Sequence, residues 1–264
     1  MNKFTLSLLG IVFLFLSSCT PNHAKIDSSL KKYFDSANVE GCFALLNNQM
    51  GNITVYNMGL DTSRLASGSS FKIPETLIGI QTGKITNGNT RLFGDSANTS
   101  NPTLKDAFEG SSVPFFSELE KQIGKDTLQF WIDSLGYGNK KLSENADSTW
   151  PPQKLEISPD EQLGLMSKLY FDQLPLQKYA QDMVTSLLTE ESDSLYKLNY
   201  TTASGVDSAN HPIGWALGWI EENRHIYFFI TFARSTNPSA NIEKTAADIS
   251  KAALKHLGFF QGQK

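Results

Sequence analysis

Ser69-Ser70-Phe71-Lys72 is the stretch of this 264-residue chain best suited to covalent chemistry. At the start of a helix, a serine three positions before a lysine places both side chains on one face, about one turn apart. Serine is a weak nucleophile until an adjacent base takes its proton. Lysine can be that base when burial disfavours its ammonium form. The helix N-terminus adds positive dipole where an oxyanion would develop. The pattern also recurs as a plain helix cap followed by a solvated lysine. Here the neighbours Phe71, Ile73 and Pro74 give Lys72 an apolar setting that favours chemistry.

Three further groups qualify. Ser111-Ser112-Val113-Pro114 precedes a helical pattern, and a second serine there could relay a proton to a leaving nitrogen; taken alone it reads as a helix cap. Tyr137-Gly138-Asn139 is a turn-forming tripeptide after a helix. Trp150 precedes Pro151 and Pro152 in a loop, where a large ring can anchor the chain.

These residues need elements to hold them. Apolar spacing predicts a first helix over 26–37, then strands over 39–46 and 53–57. A buried helix follows over 70–82, with Pro74 tolerated in its first turn and Gly83 as its stop. Residues 84–102 read as a polar loop. Helical patterns cover 104–109, 114–123 and 128–135, then the helix begun by the Ser158-Pro159-Asp160-Glu161 capping box, then 176–188. Strands return over 198–204, 213–221 and 226–232, with Asn223 and Arg224 in a tight turn, and a helix runs over 240–256. This is a mixed α/β (α+β) order. It predicts an antiparallel sheet assembled from both chain ends (26–83 and 190–264), flanked by helices, with an all-helical insertion over 84–189.

In combination the motifs resemble the class D (oxacillinase-type) serine β-lactamases and the wider penicillin-binding transpeptidases. The carriers are Gly68-Ser69-Ser70-Phe71-Lys72-Ile73-Pro74, Ser111-Ser112-Val113-Pro114, Gly136-Tyr137-Gly138-Asn139, Trp150 with Leu155-Glu156-Ile157-Ser158, and Gly214-Trp215 with Gly218-Trp219. The order is far more specific than any one member. The resemblance implies the serine β-lactamase/DD-peptidase fold over residues 26–264. It also implies a mechanism. Ser69 would attack a β-lactam carbonyl and form an acyl-enzyme. Lys72, carboxylated by carbon dioxide, would be the base, with Trp150 hydrogen-bonded to the carbamate. Ser111 would pass a proton to the lactam nitrogen, and Val113 would keep the lysine pocket dry. No other cofactor and no metal is implied.

The chain departs from the family at its Lys-Thr-Gly strand motif. Aligned on Ser204-Gly205, Tyr200-Thr201-Thr202 stands there, so Thr201, Thr202 and Ala203 are the expected substrate-lining residues. The family's carboxylate-binding arginine would fall near Ile242-Glu243-Lys244, where none exists; Arg234 ends the preceding strand. Losing cationic anchors predicts a rate lower by about 10²–10⁴-fold for an anionic substrate. Three readings follow: a β-lactam hydrolase, a slowly deacylating penicillin sensor, and a D-alanyl peptidase acting on peptidoglycan peptides.

Met1-Asn2-Lys3, the apolar run 4–16 and Leu16-Ser17-Ser18-Cys19 read as a lipoprotein leader over 1–19 with a lipobox. Cys19 would carry the lipid, residues 20–25 would be a tether, and the product would be exported and anchored to a membrane of the cell envelope. Only Cys42 then remains, a buried strand residue without a disulfide partner. A net charge of −4 gives no electrostatic footprint for nucleic acid. His23, His211, His225 and His256 lack ligand spacing.

Overall fold

The computed structural model describes residues 24–93, 101–142 and 150–264. The leader, Cys19, His23 and most of the tether lie outside the described residues. The described strands form a seven-stranded sheet in the order β1-β3-β2-β9-β8-β7-β6. Its strands are β1 (Ala24–Ile26), β2 (Glu40–Asn47), β3 (Asn52–Tyr56), β6 (Thr189–Ser192), β7 (Tyr196–Val206), β8 (Pro212–Glu222) and β9 (His225–Arg234). A separate two-stranded ribbon pairs β4 (Leu65–Ala66) with β5 (Glu156–Ile157). The first and last thirds of the chain meet where β2 pairs with β9. Long apolar runs explain the central strands: β8 and β9 are buried along most of their length because both sheet faces are covered.

The sequence expectation needs correction at the start. Residues 24–26 are extended and pair in parallel with β3, so the sheet is not wholly antiparallel. Asp27 caps a short 3-10 turn through Ser29 N–H (3.0 Å), which delays helix α1 to Lys31–Ser36. Strand β6 was not expected either. Its Thr-Glu-Glu-Ser sequence is polar and lacks alternation, as suits an exposed edge. The Asn223-Arg224 turn is as anticipated, with φ of 48° and 66° joining β8 to β9.

Both faces of the sheet carry helices. On one, α9 (Ile242–His256) and α1 cover Phe43, Leu198, Ile220 and Phe229. On the other lie α3 (Lys72–Gln81) and the helices α4 (Leu104–Glu109), α5 (Val113–Ile123), α6 (Lys125–Leu135), α7 (Pro159–Tyr170) and α8 (Lys178–Leu187). A single turn, α2 (Met58–Asp61), leads from β3 toward β4. Helix α3 is buried from Lys72 to Ile80, so burial falls on its charged residues as well as its apolar ones.

Candidate active site

The site sits where β7 loses its neighbour. Strand β6 pairs with β7 only as far as Tyr200, so the stretch from Thr201 onward has an edge without a strand partner. A 3-10 turn, Gly68–Phe71, lies against that edge and leads directly into α3. The approach is close because residue 68 is glycine. Its φ is +53°, and a Cβ there would meet Ser204 O at 2.6 Å. The sequence therefore brings the Ser69 turn into contact with a strand edge nearly 140 residues later.

Ser69 is 4% exposed. Its Oγ accepts the backbone N–H of Ser204 at 2.8 Å. As a first-turn residue of the helical segment, Ser69 also has a backbone N–H that needs a partner outside the helix. Two such donors, one from the turn and one from the strand edge, could serve a developing oxyanion.

Lys72 is fully buried. Its Nζ donates to Ser111 Oγ at 3.0 Å and to Thr202 O at 2.8 Å, and lies 5.0 Å from the Phe108 ring centroid. Burial pulls its ammonium down to about 8; the charges of Glu243 and Glu109 pull weakly the other way. Relative to the ordinary value of 10.5, this is a penalty on the order of 3 kcal/mol against the protonated form. Ser111 holds a positive φ of 47°, which presents its side chain to Lys72. The helix-cap role belongs to Ser112 instead, whose side chain accepts from Phe115 N–H.

The other expected residues separate into contacts and supports. Val113 is 48% exposed at the start of α5. It does not seal the lysine pocket as expected; the Phe108 ring does. Tyr137 is buried beside Ser70, whose Oγ also receives Gln162 Nε2 at 2.7 Å. Gly138 and Asn139 clamp the β5 segment: Asn139 Nδ2 donates to Lys154 O at 2.9 Å, and Asn139 N–H to Glu156 O at 2.8 Å. Trp150 stacks on Phe116 at 4.7 Å, and its Nε1 donates to Glu75 Oε2 at 2.6 Å. Its expected bond to a group on Lys72 is therefore replaced by one to Glu75. A carbamate on Lys72 does not fit this arrangement, because the indole donor is taken and Nζ already has two acceptors.

The strand register corrects the alignment at the lost motif. Side chains alternate along β7. Leu198 and Tyr200 pack with the α9 cluster, and Tyr200 Oη donates to Glu191 Oε1 at 2.8 Å. Tyr200 therefore points away from the cleft. Thr201 and Ala203 alternate onto the α3 face, where Ala203 joins the core that holds Phe71 and Ile73. Thr202 offers its carbonyl to Lys72, while its side chain follows Tyr200 to the α9 face. Of the residues aligned with the motif, Thr201 therefore faces the α3 side of the sheet and Tyr200 the α9 side. The residue whose N–H meets Ser69 is Ser204, one beyond the expected set. Arg234 is tied to Glu40 and to Asp207 Oδ2 (3.3 Å). Beside the nucleophile turn, a cavity of about 270 Å³ is bordered by Gly68, Trp150, Pro151, Ser204 and Val206.

Sequence reasoning missed Glu75, Ser204 and Phe108. Counting alternation forward from Leu198 would have found which β7 side chains face α3, though not the Ser204 N–H that meets Ser69. Glu75, a second charged residue on a helix buried from Lys72 to Ile80, was itself the signal of a special group.

Residues 41–255 match the penicillin binding protein transpeptidase domain family. The chain belongs to that family, in its class D β-lactamase-like branch. The regulatory protein BlaR1 of Bacillus licheniformis is 28% identical over 235 residues, covering 86% of this chain; the chain spans 38% of that protein's length. The β-lactamase OXA-10 of Pseudomonas aeruginosa is 28% identical over 211 residues, 77% of this chain and 79% of that enzyme. Among solved structures, the class D β-lactamase FUS-1 (OXA-85) of Fusobacterium nucleatum subsp. polymorphum superposes with a TM-score of 0.80 at 26% identity, covering 89% of this chain and 99% of its own. The C-terminal domain of the Bacillus licheniformis BlaR penicillin-receptor reaches 0.82 at 25% identity, covering 91% and 98%. The proteins this chain is similar to are thus described as β-lactamases and as a penicillin-receptor.

Proposed function

We propose that this class D-like protein is a penicillin-binding serine hydrolase that opens β-lactam rings through an acyl-enzyme on Ser69. The observation that supports this best is the contact of Ser69 Oγ with the Ser204 N–H, about one helical turn before the buried Lys72. A substrate carbonyl oxygen entering the hole takes over the Ser204 and Ser69 N–H groups and releases Oγ. The Oγ proton passes to Lys72, whose depressed ammonium makes it a base near neutral pH. Oγ bonds to the carbonyl carbon, the ring C–N bond breaks, and the proton returns from Lys72 through Ser111 to the nitrogen. Water later displaces the acyl group from Ser69.

A second reading, a slowly deacylating penicillin receptor, is favoured by two observations. None of Tyr200, Thr201 and Thr202 supplies the cation that the motif's lysine would, and the likeness extends to the BlaR penicillin-receptor domain. Peptidase action on D-alanyl peptides would use the same Ser69 chemistry on an extended chain along the β7 edge. We also propose export and lipid anchoring through Cys19 to the cell envelope.

The test is a time course of the chain lacking residues 1–19, with a chromogenic cephalosporin and a fluorescent penicillin. Sustained turnover is expected for a hydrolase. A single stoichiometric burst with a stable adduct would mark the receptor. Neither turnover nor adduct in folded protein would refute both.

A further inference from the structure

Glu75 lies three residues after Lys72, on the same face of α3, and is fully buried. Its Oε2 accepts the Trp150 indole N–H at 2.6 Å. Its Oε1 has no hydrogen-bond partner among the described residues. A carboxyl in such a place is costly as an anion. Burial drives its proton affinity well up, Glu120 adds to this, and the indole N–H opposes it only in part. Burial thus favours the neutral form of Glu75, one oxygen of which accepts from Trp150. An indole has a single donor, so what Glu75 holds is withheld from any other acceptor. Lys72, for its part, reaches Ser111 Oγ and Thr202 O as a donor. Carboxylation (amine plus carbon dioxide giving a carbamate anion and a proton) would convert Nζ from donor to acceptor-bearing anion. It would set that anion in an apolar pocket beside Phe108 with the indole donor already engaged.

We propose that Glu75 is a positioning residue that engages the Trp150 N–H and keeps Lys72 as an unmodified amine, so that the acyl transfer does not depend on bicarbonate. The proposal rests on the Ser69–Lys72 reading for its kinetic consequence. Its spectroscopic consequence is independent of that reading.

The experiment is ¹³C NMR of the wild-type chain lacking residues 1–19 in ¹³C-bicarbonate, alongside the Trp150 indole ¹H–¹⁵N resonance and acylation rates with and without bicarbonate. The expected result is no carbamate signal, an indole resonance that bicarbonate does not move, and an unchanged acylation rate. The Glu75→Gln variant, which keeps an acceptor, should behave the same way toward bicarbonate. Glu75→Leu frees the indole and should gain both a carbamate signal and a bicarbonate-dependent rate. A wild-type carbamate signal that disappears in Lys72→Ala would overturn the proposal. So would a folded Glu75→Leu variant that gains no carbamate. Should Glu75→Leu fail to fold, the wild-type and Glu75→Gln measurements decide. If Ser69 proves unreactive, the carbamate and indole readouts still test the role of Glu75.

Discussion

Lys72 is the residue on which the proposed chemistry turns. Unfolded, its amine is protonated up to about pH 10.5; in the folded chain burial brings the transition to about 8. Between these values the unfolded chain binds more protons than the folded one. Folding stability from this group therefore rises with pH from about 8 to 10.5, and the cost is fully present below 8. In the proposed reaction the same titration governs reactivity, since only the neutral amine could take the Ser69 proton. The acylation rate should climb through an inflection near pH 8, and Lys72→Ala should lower it by about 10²–10⁴-fold while removing the inflection. A stopped-flow pH series with a fluorescent penicillin measures both. A flat profile would show that another group takes the proton.

At the scale of elements, the register of β7 decides what the cleft offers an anion. Thr201 faces the α3 side and Tyr200 the α9 side, where Lys251 lies 5.1 Å from its ring centroid. Thr201→Lys should therefore raise the acylation rate for anionic penicillins by about tenfold or more, as expected for restoring a charged group near the reacting centre. Tyr200→Lys should give no such gain and should weaken the contacts to Glu191. Equal gains from both variants would contradict the register. The clamp around β5 gives a second test. Gly138 has φ of +52°, and a Cβ would meet Glu156 O at 2.0 Å. Gly138→Ala should destabilise the fold by more than about 1 kcal/mol, read as a lower denaturant midpoint, and should loosen the Trp150 loop. The central strands and the buried helix were legible because their apolar runs are long and their stops are glycine or turn residues. The register was not. The landmarks for the lost motif were Ser204-Gly205 and the downstream Gly214-Trp215, and a slip of one residue exchanges the two faces of a strand. Strand β1 escaped notice because three polar-flanked residues carry no period. The contact of Trp150 with Glu75 could not be read at all, since it joins positions 75 residues apart whose meeting depends on how α3 packs against the loop.

For the whole molecule, the architecture joins two chain ends in one sheet and lets a helical block close over α3. The nucleophile turn is stationed at the seam between them. Away from the cleft, Asp61 is another buried carboxyl, with Oδ1 unpaired among the described residues and its ionisation raised to about 7, first by burial and then by Asp160. Its folded value lies above its unfolded 3.8, so the folded chain holds a proton that the unfolded chain releases between those limits. Stability from this group is greatest below pH 3.8 and declines as pH rises to about 7. Asp61→Asn should raise the melting temperature more at pH 8 than at pH 4.5; equal changes at both would show that Asp61 ionises freely.

The central claim is that Ser69 carries the acyl group. Intact-mass analysis of the chain lacking residues 1–19 after exposure to benzylpenicillin, followed by peptide mapping, tests it most directly. The expected result is a mass increase of one penicillin, held for a time set by deacylation and mapped to the peptide containing Ser69, with none in Ser69→Ala. An adduct that persists in Ser69→Ala, or folded wild-type protein that captures no penicillin and turns none over, would contradict it.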